Sequence, residues 1–193
     1  MTRTDLTKFE RFLPGGAHVY LYPVGNSKLA AALIRADLNG DGSDETIVVY
    51  NERKPTREEG SLPLILSIMS RAGNKLVMRS TVRLLGDVFF SPRIEGVGAP
   101  LSAYDLTGDR HPEIVVVSGG GASVGGVLQA FSFDGLTLRE LARIGGHFFR
   151  VRSKGAGKPA LITGQWNGEK GTRSYEWNGR VFEETATPVK QSR

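Results

Sequence analysis

Runs of apolar residues alternate with short polar segments that carry glycine along most of the chain. Three stretches share one order, in which an alternating run enters a polar loop and a β-branched or aliphatic run leaves it. They read LIRADLNGDGSDETIVVY (33–50), LSAYDLTGDRHPEIVVVSGG (101–120) and FRVRSKGAGKPALITGQW (149–166). Short runs of this composition between turn formers predict β-strands, and their recurrence predicts a repeat protein.

The loops begin at equivalent positions, Asp37, Asp105 and Arg152. Their spacing fits a repeat of about 40 to 50 residues, the period of a propeller blade, if the polar segment NERKPTREEGSLP (51–63) is an insertion. Loops of this polarity tolerate insertions well.

Each loop and its strand are followed by a hairpin pattern. In two of the hairpins the alternating runs meet at Asp134-Gly135 and Asn178-Gly179, dipeptides that favour two-residue type I′ turns with positive φ at both positions. We therefore predict an all-β fold of β-propeller-like repeats, each with about four antiparallel strands.

The predicted organisation is a single domain with three repeats and an N-terminal fragment. Residues 4–13 favour a short helix and residues 17–25 an extra strand that completes or caps a sheet edge. The predicted segments are a lead-in (1–28), three repeats (29–90, 91–146 and 147–187) and a tail (188–193).

The first loop, DLNGDGSDE, has the composition of a site for a hard cation. Side-chain oxygens recur at every second residue, Gly42 permits a tight turn, and the backbone carbonyl of Ser43 adds a ligand. Its predicted ligands are Asp37, Asn39, Asp41, Ser43 and Glu45. Calcium suits this set better than magnesium, which prefers fewer protein ligands. An EF-hand is excluded because a strand pattern, TIVVY, follows the glutamate.

This motif resembles the calcium loops of FG-GAP (VCBS-like) repeats, which form integrin-type β-propellers. The resemblance covers residues 33–184 and implies structural calcium in a propeller. It implies a second calcium loop in DLTGDRHPE, with Asp105, Thr107, Asp109, Glu113 and the backbone carbonyl of His111 as ligands. There, Arg110 replaces the glycine of the family pattern.

The third loop, RSKGAGKPA, lacks acidic residues and is predicted to bind no metal, since its ligand positions hold Arg152, Lys154, Ala156 and Ala160. For the two acidic loops, the alternative to metal binding is an Asx-type turn, in which Asp and Asn side chains accept backbone amides.

Composition narrows the functional classes. There is no cysteine, which excludes disulfides and thiolate chemistry, and no apolar run reaches the length of a membrane helix.

The net charge of +5 is spread along the chain, so nucleic-acid binding is not expected. No signal peptide pattern begins the chain. Weak calcium sites would nevertheless fill outside the cytoplasm, which favours an extracytoplasmic location over a cytoplasmic one.

Catalytic chemistry has one candidate. Gly121-Ala122-Ser123-Val124-Gly125 matches the nucleophile-elbow pattern, with Asp134 and His147 following. An elbow needs a helix next, but a strand pattern follows.

The predicted function is therefore a calcium-binding module that presents loops to a protein or glycan partner, and not an enzyme. Copies could also associate through exposed sheet edges. A hydrolase that uses Ser123 and a purely structural repeat of a larger assembly are the alternatives.

Overall fold

The computed structural model describes residues 3–24, 28–54, 61–89, 95–96, 99–119, 125–166 and 171–185. Within these ranges the chain is all-β, with one short helix and four antiparallel sheets, none of them closed. In chain order the elements are α1 (Arg3–Glu10), β1 (His18–Val19), β2 (Leu21–Val24), β3 (Lys28–Ala31), β4 (Leu33–Ala36), β5 (Glu45–Asn51), β6 (Ile65–Ala72), β7 (Lys75–Arg83), β8 (Val88–Phe89), β9 (Leu101–Tyr104), β10 (Glu113–Gly119), β11 (Gly126–Phe133), β12 (Leu138–Gly146), β13 (Phe148–Arg152), β14 (Leu161–Gln165), β15 (Arg173–Trp177) and β16 (Phe182–Thr185).

Three of the sheets are built from strands that follow one another in the chain. In the first sheet, β4 and β1 share one edge of β5, and β6 and β7 follow. The second sheet repeats this order, with β9 and β8 beside β10 and then β11 and β12. The third sheet runs β13-β14-β15-β16, and β2 pairs with β3 as a separate hairpin. The all-β prediction is confirmed, and each predicted repeat supplies most of one sheet.

The second sheet lies between the first and the third. Alternate side chains of β10 point in opposite directions: Ile114 and Val116 enter a core shared with the first sheet, while Val115 and Val117 enter a core shared with the third. Both faces of the strand are buried, which explains why the sequence IVVV (114–117) is continuously apolar instead of alternating.

Among the described residues, the third sheet is covered on one face only. Along β13, Phe149 and Val151 are buried in the second core, whereas Phe148, Arg150 and Arg152 are exposed. The alternation of apolar and polar residues in this strand is the pattern of a half-buried sheet.

The N-terminal segment covers the outer face of the first sheet. The predicted helix is present as α1, and Leu13, Ala17 and Val19 pack with Val48 and Met69 in a third core. β1 extends the edge of the first sheet by pairing with β5.

One strand of the predicted first repeat joins the second sheet. β8, which falls inside residues 29–90, pairs with Ser118 and Gly119 of the second sheet. Pairing with a distant strand is not visible in local sequence.

The two hairpin turns form one residue later than predicted. Gly135 and Gly179 have positive φ, but Asp134 and Asn178 do not. A type I′ turn needs both. Instead, Asp134 and Asn178 use their side-chain oxygens to accept the amides two and three residues ahead, so the two central residues are the glycine and its successor.

Candidate metal loops

The three predicted loops share one backbone conformation. The first loop begins at the end of β4, the second at the end of β9 and the third at the end of β13. Each loop has a residue of left-handed conformation three positions after its start and another five positions after it. These residues are Gly40 and Gly42, Gly108 and Arg110, and Gly155 and Gly157. The equivalence of Asp37, Asp105 and Arg152, inferred from sequence, therefore extends to the local geometry.

The first loop is closed by side chains that accept its own amides. Asp37 accepts from Gly40 N at 2.8 Å and from Gly42 N at 2.9 Å. Asn39 Oδ1 accepts from Asp41 N, and Asp41 Oδ1 accepts from Ser43 N at 2.8 Å. Asn39 Nδ2 also donates to Asp41 Oδ2. These bonds form the Asx-type turns that were the alternative to metal binding.

Glu45 lies beneath this loop and is only 2% exposed. Its Oε2 accepts the amide of Leu38 at 3.0 Å. Burial raises the pKa of the Glu45 carboxyl, and the negative charges of Asp41 and Asp37 raise it further, while the Leu38 amide opposes the rise. A buried carboxylate that faces two others is an unfavourable charge arrangement unless a proton or a cation compensates it.

The second loop repeats this design. Asp105 accepts from Gly108 N at 2.7 Å and from Arg110 N at 3.2 Å. The buried Glu113 accepts the amides of Leu106 and Thr107 and the Thr107 hydroxyl. Burial raises the pKa of Glu113, and the negative charge of Asp109 adds to the rise.

The remaining predicted ligands of the second loop lie at its exposed tip. Asp109 Oδ1 accepts the backbone amide of His111 at 2.8 Å, and the His111 ring nitrogen Nδ1 lies 3.7 Å from the same oxygen.

The third loop has no carboxylate at these positions. Ala160, which takes the place of the buried glutamates, is 1% exposed and belongs to the second core. Arg152, Lys154 and Ala156 are exposed. Lys154 binds Glu176 of β15 at 2.7 Å, so its charge serves a surface ion pair.

The loops touch one another in series, which the sequence did not predict. A β-carbon on Gly40 would collide with the His111 ring of the second loop. A β-carbon on Gly108 would lie 2.5 Å from the carbonyl carbon of Lys158 in the third loop. Ala160 N donates to Leu106 O at 2.8 Å. The glycine three positions after the start of each loop was the available signal, because left-handed turns and close backbone approach both favour glycine.

Metal binding stays a prediction for both acidic loops. Within the described ranges, no group of three or more acidic or histidine side chains is placed to hold a metal ion. The donor types fit calcium, since all are oxygens. Each aspartate oxygen that accepts one backbone amide keeps a second lone pair, so these hydrogen bonds and a bound cation are compatible.

The hydrolase alternative would need Asp134 to lie beside His147, and the structure keeps these two residues apart. Ser123 lies outside the described residues. Asp134 precedes β12 and His147 follows it, so this nine-residue strand separates them by about 30 Å. Asp134 therefore cannot orient His147. His147 instead packs against Trp166, with ring centroids 5.2 Å apart.

Comparison with protein-family models, curated proteins and solved structures gave no significant match. The likeness to FG-GAP repeats is thus carried by the loop motif and its spacing. None of the helical segments that the structure describes has the length and apolar character to cross a bilayer.

Arg110→Gly is expected to stabilise the protein by about 0.5–1 kcal/mol. Arg110 has φ of +76°, and this left-handed conformation costs a residue with a β-carbon about 1–2 kcal/mol. Glycine avoids that strain but loses about 0.5–1 kcal/mol more conformational entropy on folding, so the net gain is smaller than the strain. Urea unfolding measures the change. Arg180→Gly is the control, because this exposed turn arginine lacks a positive φ; an equal gain there would contradict the strain at Arg110.

Proposed function

We propose that this chain is a calcium-stabilised, propeller-like module that presents a row of loops to a protein or glycan partner. The observation that carries the proposal is the row itself. Three loops of equivalent conformation lie at the same end of three successive sheets and contact one another, and two of them have a buried glutamate beneath them.

The propeller-like arrangement is supported by contacts between equivalent strands. The strand before the loop contacts its equivalent in the next sheet, β4 with β9. The last strands also meet, β7 with β12 and β12 with β16. Contact between both the first and the last strands of the first two sheets, and between the last strands of the second and third, is consistent with neighbouring propeller blades.

Calcium binding in the first loop is supported by the negative charges of Asp37 and Asp41 beside the buried Glu45. Asp37, Asn39, Asp41, the Ser43 carbonyl and Glu45 would hold the ion. Its chemistry there is structural, because a divalent cation neutralises the facing carboxylates of Asp37, Asp41 and Glu45 and so adds its binding energy to folding.

The second loop is the weaker calcium candidate. Asp105, Thr107, Asp109, Glu113 and the His111 carbonyl would be its ligands, but Arg110 adds a positive charge to the turn, and the Thr107 hydroxyl already binds Glu113. If both sites are weak, the module works where calcium is near millimolar, which is outside the cytoplasm.

Association between copies through sheet edges is best supported at β16. In the first two sheets the last strands are β7 and β12. The pairing of β7 with β6 and the pairing of β12 with β11 each contain a register shift. Bulges in edge strands hinder pairing with another chain. The pairing of β15 with β16 has no such shift. Sedimentation of the purified chain distinguishes a monomer from such an assembly.

The proposal is tested by thermal melts in excess EDTA and in about millimolar calcium. If the first loop binds calcium with a Kd of about 10 μM, millimolar calcium is about 100 times that Kd and contributes about 2.7 kcal/mol, which is expected to raise the melting temperature by roughly 5–10 °C. A site with a Kd of about 1 mM is expected to raise it by only about 1–2 °C. Magnesium at the same concentration is expected to have little effect, since it prefers a smaller octahedral site.

Two aspartates of the same loop provide a matched pair of variants. Asp41→Ala removes a predicted ligand and is expected to abolish most of the calcium shift. Asp44→Ala removes an equally exposed carboxylate that is not a predicted ligand and is expected to keep it. A full shift in Asp41→Ala would refute the ligand assignment. No shift in the wild type would leave both loops as metal-free Asx turns.

A further inference from the structure

Four cations line a single cleft beside the first acidic loop. The cleft has a volume of about 670 Å³ and lies between α1, the tip of the β6-β7 hairpin and the β11-β12 turn. Its basic residues are Arg35 of β4, Arg71 of β6, and Lys75 and Arg79 of β7. All four are exposed.

In the part of the chain that the structure describes, these four cations form no ion pairs. Arg79 donates to the Ser70 hydroxyl at 2.6 Å. Some basic residues elsewhere are paired, such as Arg143 with Glu140 and Arg150 with Glu95, both at 2.6 Å. The cleft therefore holds four cations that no described carboxylate engages in an ion pair.

The cleft also has exposed apolar side chains and acidic ones. Phe12 is 39% exposed and Leu136 is 74% exposed, and both line it. Asp41, Asp44 and Glu45 line it as well, so four cations face three carboxylates and leave a formal balance of +1. A uniformly charged polyanion would be repelled by these carboxylates, whereas a segment of mixed composition can place its charges selectively.

We infer that this cleft binds an acidic peptide segment of a protein partner. Carboxylates of the segment contact Arg71, Lys75 and Arg79, and its apolar side chains cover Phe12 and Leu136. The inference deepens the proposed function by naming the chemistry of the partner, and it does not require calcium in the loop. Calcium there would add two positive charges beside the cleft and strengthen the binding.

The probe is a short fluorescein-labelled peptide of Glu, Leu and Ser, compared with the same peptide carrying Gln for Glu, and binding is followed by fluorescence anisotropy. Wild type is expected to prefer the Glu peptide and to lose affinity as salt rises. The combined variant Arg71→Gln, Lys75→Gln, Arg79→Gln is expected to bind about tenfold more weakly. Circular dichroism and the melting temperature report whether this variant remains folded.

The control neutralises three exposed cations outside the cleft, with Lys54→Gln, Arg152→Gln and Arg180→Gln, and is expected to bind like wild type. Equal weakening in both triple variants would overturn the site, because only net charge would then matter. Tighter binding of a sulfated oligosaccharide, lost in the cleft variant, would overturn the peptide assignment.

Measurements in EDTA separate this inference from the calcium proposal. Peptide binding that persists in EDTA and depends on the three cations supports the cleft even if calcium does not shift the melting temperature. Absence of peptide binding both in EDTA and in calcium overturns the cleft, whatever the melts show.

Discussion

Phe149→Ala is expected to lower the free energy of unfolding by about 3–5 kcal/mol, the range for removing a large buried aromatic side chain. Phe149 is 4% exposed and packs in the core between the second and third sheets. Its ring also lies near Gly146 and Gly164, where no side chain is available to fill the cavity. Urea unfolding followed by tryptophan fluorescence measures the loss.

The neighbouring residue is the control. Phe148→Ala removes the same group from the opposite face of β13, where Phe148 is 57% exposed, and is expected to change stability by less than about 0.5 kcal/mol. If the two variants lose equal stability, the open face of the third sheet is covered in solution. A second unfolding transition in Phe149→Ala alone would show that the sheets unfold separately.

Gly108→Ala is expected to cost about 3 kcal/mol, and it tests the contact between the second and third loops. Gly108 has φ of +80°, which alone costs alanine about 1–2 kcal/mol. The added β-carbon would also lie 2.5 Å from the carbonyl carbon of Lys158 and 2.8 Å from Pro159 N. Because these are backbone atoms, the third loop must move and its bond from Ala160 N to Leu106 O is disturbed.

Gly155→Ala separates strain from contact. Gly155 holds the equivalent position in the third loop, with φ of +109° and no atom within 4 Å of an added β-carbon. It should therefore lose only about 0.5–1 kcal/mol, which is the roughly 1–2 kcal/mol of the left-handed conformation less about 0.5–1 kcal/mol because alanine has less freedom to lose from the unfolded chain. Equal losses in the two variants would mean that the second and third loops do not press together.

Much of the candidate site was predictable from local pattern. The spacing of Asp37, Asp41 and Glu45 and the glycines between them identified a closed polar turn before a strand. Whether Asp37 and Asp41 accept amides or bind a cation was left open, because the same oxygens are suited to both. The cleft was not predicted, since Arg35, Arg71 and Lys75 lie on different strands and meet only across the sheet.

The turns illustrate a smaller limit of the sequence. Asp134-Gly135 and Asn178-Gly179 correctly indicated hairpins, because glycine next to Asp or Asn accommodates a left-handed turn. The exact register depended on which amides the Asp134 and Asn178 side chains accept. Those bonds moved each turn by one residue.

The sequence by itself determined the strands, the equivalence of the three loops and the all-β class, because these depend on side-chain periodicity and on glycine at left-handed positions. Only the tertiary structure decided which sheets are buried on both faces. IVVY (47–50) and IVVV (114–117) are continuously apolar because sheets or the N-terminal segment cover both sides, while residues 149–152, FRVR, alternate because one side is exposed. The contacts between loops and the pairing of β8 with the second sheet also join residues distant in sequence. Such contacts follow from how whole sheets pack, and no local pattern encodes them.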